Sequence, residues 1–163
     1  MINPDQKKET RLTPMQAKKR AEGFCAYQER AQQEVRDKLY NWGLHQSDVE
    51  NIISELVTEN FLNEERFAYA YVSGKFKMKQ WGKIKIKNGL QQKRISPRLV
   101  KESLASIDPS EYMSALEQVI EKKSRSLKEH HPYKRKMKLA QYAVSRGFEQ
   151  NLVFDVLNED YLD

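Results

Sequence analysis

Between residues 66 and 101 the chain carries eleven basic side chains and no Asp or Glu: Arg66, Lys75, Lys77, Lys79, Lys83, Lys85, Lys87, Lys93, Arg94, Arg98 and Lys101. The net charge of the whole chain is +6, so everything outside this segment sums to −5 and the positive charge is concentrated. On a helix, Lys83, Lys87 and Arg94 share a side, giving a stripe able to track phosphates or acidic side chains. A solvated helix face is the plain alternative for any charge run, although such faces usually carry counter-charges. A second cluster, Lys134-Arg135-Lys136 with Lys138, lies further along. Nucleic acid and acidic protein surfaces both suit this balance.

Aromatic residues interleave with the first basic segment: Phe67, Tyr69, Tyr71, Phe76 and Trp81. On a nucleic-acid platform such rings stack bases. Phe67 and Tyr71 form an i, i+4 pair and are expected in the core, leaving Tyr69 and Trp81 as the candidates for exposure. Trp42, just before a glycine, is expected to pack at an inter-helix turn. Catalytic chemistry finds little support. His130-His131 lacks both helical spacing and companion ligands for a metal. Cys25 is the single cysteine and is expected to pack as a small apolar residue. The six glycines are scattered, with no phosphate-cradling loop and no nucleophile elbow. The expectation is a binding protein without enzymatic activity, cofactor or metal.

The elements that must position these residues follow from an internal repeat. Val35, Leu39, Leu44, Val49 and Ile53 recur as Ile86, Leu90, Ile95, Val100 and Leu104, then as Leu139, Ala143, Phe148, Val153 and Leu157, with the same offsets in each copy. Tandem units of about fifty residues that each bury an apolar face on neighbours predict a helical repeat protein. Helix starts are expected at Thr13-Pro14-Met15-Gln16, at Asn63-Glu64-Glu65 and at Asp108-Pro109-Ser110-Glu111, each a cap followed by proline, an acceptor or carboxylates. The second helix of each unit should stop near Gly43, Arg94 and Gly147. The third should start at Ser47-Asp48-Val49-Glu50, read as a capping box, and at Ser96-Pro97. Lys83-Ile84-Lys85-Ile86-Lys87 alternates as a half-buried strand would, but Ile86 and Leu90 align with helical pairs in the other copies. Helix is therefore expected there, despite Gly89, which costs about 1 kcal/mol relative to alanine.

The resulting fold class is all-α: three tandem three-helix repeats stacked into an elongated array that can curve. Residues 1–12 form a tail with too little apolar content to pack, followed by repeats at 13–61, 62–107 and 108–163. A charged fraction of 32% against 39% hydrophobic residues fits a protein with much exposed surface. One cysteine gives no disulfide framework, no stretch approaches the roughly twenty apolar residues that span a bilayer, and the first dozen residues are polar. These features point to the cytoplasm, with no membrane partner.

Phe61-Leu62-Asn63-Glu64-Glu65-Arg66-Phe67-Ala68, with Tyr71-Val72 following, resembles the signature of the RecX family of recombinase regulators. Gly82, Ile86, Leu90, Lys93 and Ile95 resemble that family's glycine-led basic helix, and the resemblance extends from about Ala21 onward. Two positions depart from the family pattern. Arg94 stands where glycine is common, implying either another turn geometry or a left-handed penalty of about 1 kcal/mol or more. Glu64 replaces a frequent aspartate. The resemblance implies a protein that binds the RecA–DNA filament in its helical groove, contacting single- or double-stranded DNA weakly or within the filament. It also implies a protein that lowers the recombinase's ATP hydrolysis, strand exchange and co-protease function; a monomer is expected. Lys83, Lys85, Lys87, Lys93 and Arg94, with Lys134, Arg135, Lys136 and Lys138, are the expected attachment residues. A direct DNA-binding module of helix-turn-helix type is the alternative.

Overall fold

The computed structural model describes the backbone of residues 11–160 and the side chains of residues 11–158. Among the described residues every element is helical, in the order α1 (Pro14–Tyr27), α2 (Gln32–Asn41), α3 (Gln46–Thr58), α4 (Glu64–Lys77), α5 (Lys83–Gln92), α6 (Pro97–Ala105), α7 (Pro109–Ser126), α8 (Pro132–Ser145) and α9 (Gln150–Asp160). The strand alternative for residues 83–87 is excluded, since they open α5. The helices form three triplets. By packing, the chain divides into a unit ending at Phe67 and a unit beginning at Ala68.

Local chemistry accounts for most helix starts. Thr13 closes a capping box with Gln16: the Gln16 N–H donates to Thr13 Oγ1 at 3.3 Å and the Thr13 N–H donates to Gln16 Oε1 at 3.1 Å. Asn63, Ser96 and Asp108 accept the N–H of Arg66, Leu99 and Glu111 at 2.9, 3.3 and 3.0 Å, with Pro97 and Pro109 opening their helices. His131 Nδ1 caps α8 by accepting the Lys134 N–H at 3.4 Å, which gives that histidine a structural task. The expected capping box at Ser47 is not formed. Helix α3 starts earlier, its N-cap is His45 without a side-chain cap bond, and the Glu50 carboxylate is drawn instead to Arg36 at 2.8 Å.

The second helix of every triplet ends in the same way. Gly43, Arg94 and Gly147 all have positive φ, of 86°, 57° and 99°. After them the N–H of Leu44, Ile95 and Phe148 donates to the carbonyl of Leu39, Leu90 and Ala143 at 3.3, 3.2 and 3.3 Å. This pattern satisfies orphan carbonyls at a left-handed terminus. Arg94 therefore keeps the geometry of its glycine counterparts, at a left-handed cost of about 1–2 kcal/mol.

The repeated apolar frame forms the core. All of its members are buried except Leu104, which is half-buried. In the first unit, Val35, Leu39, Val49 and Ile53 cluster with Ala17, Ala21 and Cys25 of α1, and Trp42 packs against their edge. Residues 1–10 of the expected tail lie outside the described residues. Arg11 and Leu12 do not belong to it: Leu12 packs on the first core, its N–H donates to the Trp42 carbonyl at 3.2 Å, and Arg11 Nε donates to the Gly43 carbonyl at 2.8 Å. Arg11 and Leu12 are held ahead of the cap because a carbonyl acceptor and an apolar surface are within their reach.

Candidate partner-binding surface

The basic segment runs along α4 and α5 and into α6. Two of its charges are consumed locally. Arg66 Nε donates to Glu29 at 2.5 Å while its terminal nitrogens donate to Asn60 Oδ1 and to the carbonyls of Asn60 and Phe61, locking a turn in which Asn60 has φ 64°. Arg98 pairs with Glu102 at 3.2 Å one turn along α6. Lys77, Lys79, Lys87, Arg94 and Lys101 are exposed and have no acidic partner among the described residues.

Rings hold three further lysines. Lys75 Nζ and Lys85 Nζ lie 4.8 and 4.5 Å from the centre of the Trp81 ring, and Lys83 Nζ lies 4.8 Å from that of Tyr112. Trp81 is thus half-buried between two ammonium groups, where an exposed stacking platform was expected; Tyr69 is exposed and Phe67 is buried, as expected. Cation–π contact of this kind contributes about 0.5–1 kcal/mol and restrains the side chain while leaving its charge unneutralised.

The start of α5 is fixed by backbone. Gly82 offers no side-chain cap. Instead its N–H donates to the Arg146 carbonyl at 2.8 Å and the Ile84 N–H donates to the Gly147 carbonyl at 3.0 Å, so amides orphaned at the start of α5 meet carbonyls from the end of α8. A Cβ on Gly82 would stand 2.2 Å from the Gly147 carbonyl carbon, which accounts for glycine there. Tyr112 completes the junction: its hydroxyl accepts the Lys83 N–H at 3.0 Å and donates to Glu149 Oε1 at 2.5 Å, and its ring stands 5.3 Å from that of Phe148. Burial, then the bond to Glu149, holds the phenol far above its usual titration range. Gly89 also has a local cause, since a Cβ there would meet the Tyr71 hydroxyl at 2.0 Å.

The second cluster has a different fate. Arg135 donates to the carbonyls of Leu127 and Glu129 at 3.1 Å each, and to the carbonyl and hydroxyl of Ser124 at 2.6 and 2.7 Å. It is a cap for the end of α7, not an exposed cation. Lys136 Nζ donates to Asn158 Oδ1 at 2.5 Å and Lys138 pairs with Glu129 at 2.9 Å. Lys134 is exposed and Lys93 half-buried. Tyr112 and Lys101 were absent from the expected set. Nothing in sequence links Tyr112 to Lys83 or Glu149, whereas Lys101 was legible from its place in the acid-free segment.

Cys25 is buried, and that burial pushes its thiol up to about 11, so it is not a thiolate at neutral pH. Among the described residues no group of three or more His, Cys, Asp or Glu could hold a metal ion. Among the same residues no helix is long and apolar enough to cross a membrane.

Comparison with known proteins decides the family. Models of the first, second and third three-helix domains of RecX match residues 17–56, 63–104 and 110–157. The chain belongs to the RecX family. A Regulatory protein RecX from Clostridium acetobutylicum is 31% identical over 147 residues, covering 88% of this chain and 68% of that one. One from Bacillus mycoides is 26% identical over 136 residues, covering 83% of this chain and 50% of its own length, so the chain spans about half of that relative. The crystal structure of RecX from Lactobacillus salivarius superposes with a TM-score of 0.79 at 21% identity, covering 90% of this chain and 95% of that one, which shows the shared fold. The three RecX domains coincide with the three helical triplets.

Proposed function

We propose that this RecX-family chain regulates the RecA recombinase in the cytoplasm, as a monomer. It binds the RecA–DNA filament in its helical groove and lowers ATP hydrolysis, strand exchange and co-protease function. The observation that carries the reading is the basic segment of the middle repeat, free of Asp and Glu from residue 66 to 101, set on a frame shared with proteins named as regulators. Lys83, Lys85, Lys87, Lys93 and Arg94 supply the attachment, with Lys134 beyond them. Lys136 and Lys138 contribute only by exchanging Asn158 and Glu129 for the partner, and Arg135 stays on its carbonyls. A filament groove presents protein and phosphate together, so many weak contacts add through effective concentration.

The test is a titration of the protein into recombinase, single-stranded DNA and ATP, following hydrolysis. Hydrolysis is expected to fall with saturation, and no effect at saturating protein removes the proposal. Equal affinity for bare and recombinase-coated DNA, or a sequence-selective duplex footprint, would replace it with the direct DNA-binding module.

A further inference from the structure

The repeat frame lets the cleft between second and third helices be compared at matching positions. Lys87 and Lys101 of the middle repeat correspond to Arg36 and Glu50 of the first, and Lys83 and Ala105 correspond to Lys136 and Asn158 of the last. In the first repeat Arg36 reaches across from α2 to α3 and donates to Glu50 Oε1 and Oε2 at 2.8 and 3.3 Å. In the last repeat Lys136 reaches across from α8 to Asn158 of α9 at 2.5 Å. Each outer cleft is therefore bridged by its own side chains.

The middle cleft cannot be bridged in this way. Lys87 faces Lys101 with like charge, and Ala105 has nothing to accept from Lys83. A groove of about 510 Å³ remains open between α5 and α6. Ile95, Val100 and Leu104 line it, and Leu104 is half-buried whereas its counterparts Ile53 and Leu157 are buried. Lys83, Lys87 and Lys101 also line it, and no carboxylate does.

We propose that this groove docks an acidic, amphipathic helical segment of a partner protein, with apolar side chains on Ile95, Val100 and Leu104 and a carboxylate between Lys87 and Lys101. The first repeat supplies the template, since Glu50 places a carboxylate at the matching site. Charge complementarity selects an acidic occupant, and the apolar floor selects side chains over a phosphodiester backbone, which has nothing to bury there. The assignment does not depend on the recombinase being that partner.

The test uses the ¹⁵N-labelled full chain and three probes: a synthetic helix with Leu at i, i+3, i+4 and i+7 flanked by Glu, its counterpart with Gln for every Glu, and oligo-dT. The Glu helix is expected to shift the amides of Lys87, Ile95, Lys101 and Leu104, and the Gln helix to bind about tenfold more weakly or worse. Lys101→Glu recreates the bridge of the first repeat; it should weaken the Glu helix about tenfold or more while thermal unfolding stays level or moves up. The proposal is overturned if the Glu helix leaves those amides unmoved, if the Gln helix binds equally, or if Lys101→Glu changes nothing. It is also overturned if oligo-dT shifts the same amides at lower concentration than the Glu helix. No recombinase is present, so a failure here and a failure of the hydrolysis titration are separate results.

Discussion

The second helices of the middle and last repeats open with similar lysine-rich runs, yet the two runs meet different surroundings. In the last repeat, orphan carbonyls at the end of α7, the Glu129 carboxylate and the Asn158 amide absorb Arg135, Lys138 and Lys136. In the middle repeat the start of α5 is already satisfied by backbone from the end of α8, so Lys83 and Lys85 rest on rings and Lys87 is exposed. A ring restrains an ammonium without cancelling its charge, whereas a carboxylate does both. A charge cluster is thus left available to a partner only where the fold has no other use for it.

The largest expected effect comes from removing the backbone junction that gives α5 its setting. Gly82→Ala puts a Cβ 2.2 Å from one backbone atom and 2.3 Å from two others, none of which can yield without losing the bonds to Arg146 and Gly147. A loss of about 3 kcal/mol or more is expected by denaturant unfolding. Gly74→Ala in α4 meets open space and should instead gain about 0.5–1 kcal/mol. Equal behaviour of the two variants would remove the junction from the account.

Next in size is Arg135→Ala. It strands carbonyls of Ser124, Leu127 and Glu129 and should cost about 2 kcal/mol in chemical denaturation. Its salt dependence of filament binding should match the parent chain. A flattened salt slope with unchanged stability would return Arg135 to the binding set.

These two residues also mark how far the sequence is legible. The frame could be read because identical offsets recur, and fourteen of its fifteen positions are buried. Caps at Thr13, Asn63, Ser96 and Asp108 were legible because each bond spans three residues. Ser47 failed because Glu50, needed for a local box, found a stronger partner in Arg36 on another helix. Arg135 failed for the same reason in reverse: sequence shows a cation, but not the carbonyls that fold beneath it. Gly82 could be tied to a family pattern, while its cause, the Gly147 backbone, lies 65 positions away. Local chemistry is written locally; long-range partners decide the site.

The comparison of the two clusters is sharpened by neutralising each. Replacing Lys83, Lys85 and Lys87 by Gln should reduce the slope of log affinity against log salt by about 1 for each phosphate contact removed, measured on recombinase-coated DNA. Replacing Lys136 and Lys138 by Gln should change it far less, since Lys138 is already paired with the Glu129 carboxylate and Lys136, though still charged, is held on Asn158. Equal losses from both sets would mean that the internal bonds of the last repeat open readily on binding.

The smallest expected effect is at Arg94, where the frame itself differs among repeats. Gly43 and Gly147 take positive φ without a side-chain penalty, whereas Arg94 holds the same turn bonds at φ 57°. Arg94→Gly should therefore raise stability by about 0.5–1 kcal/mol, read from the denaturation midpoint at constant slope. Strain held where glycine would fit without it indicates a use for the side chain. The exposed guanidinium has no acidic partner among the described residues, which leaves it available to a binding partner. The same variant should bind the filament more weakly while folding more stably. A variant that is more stable with unchanged binding would show that the strain serves no contact.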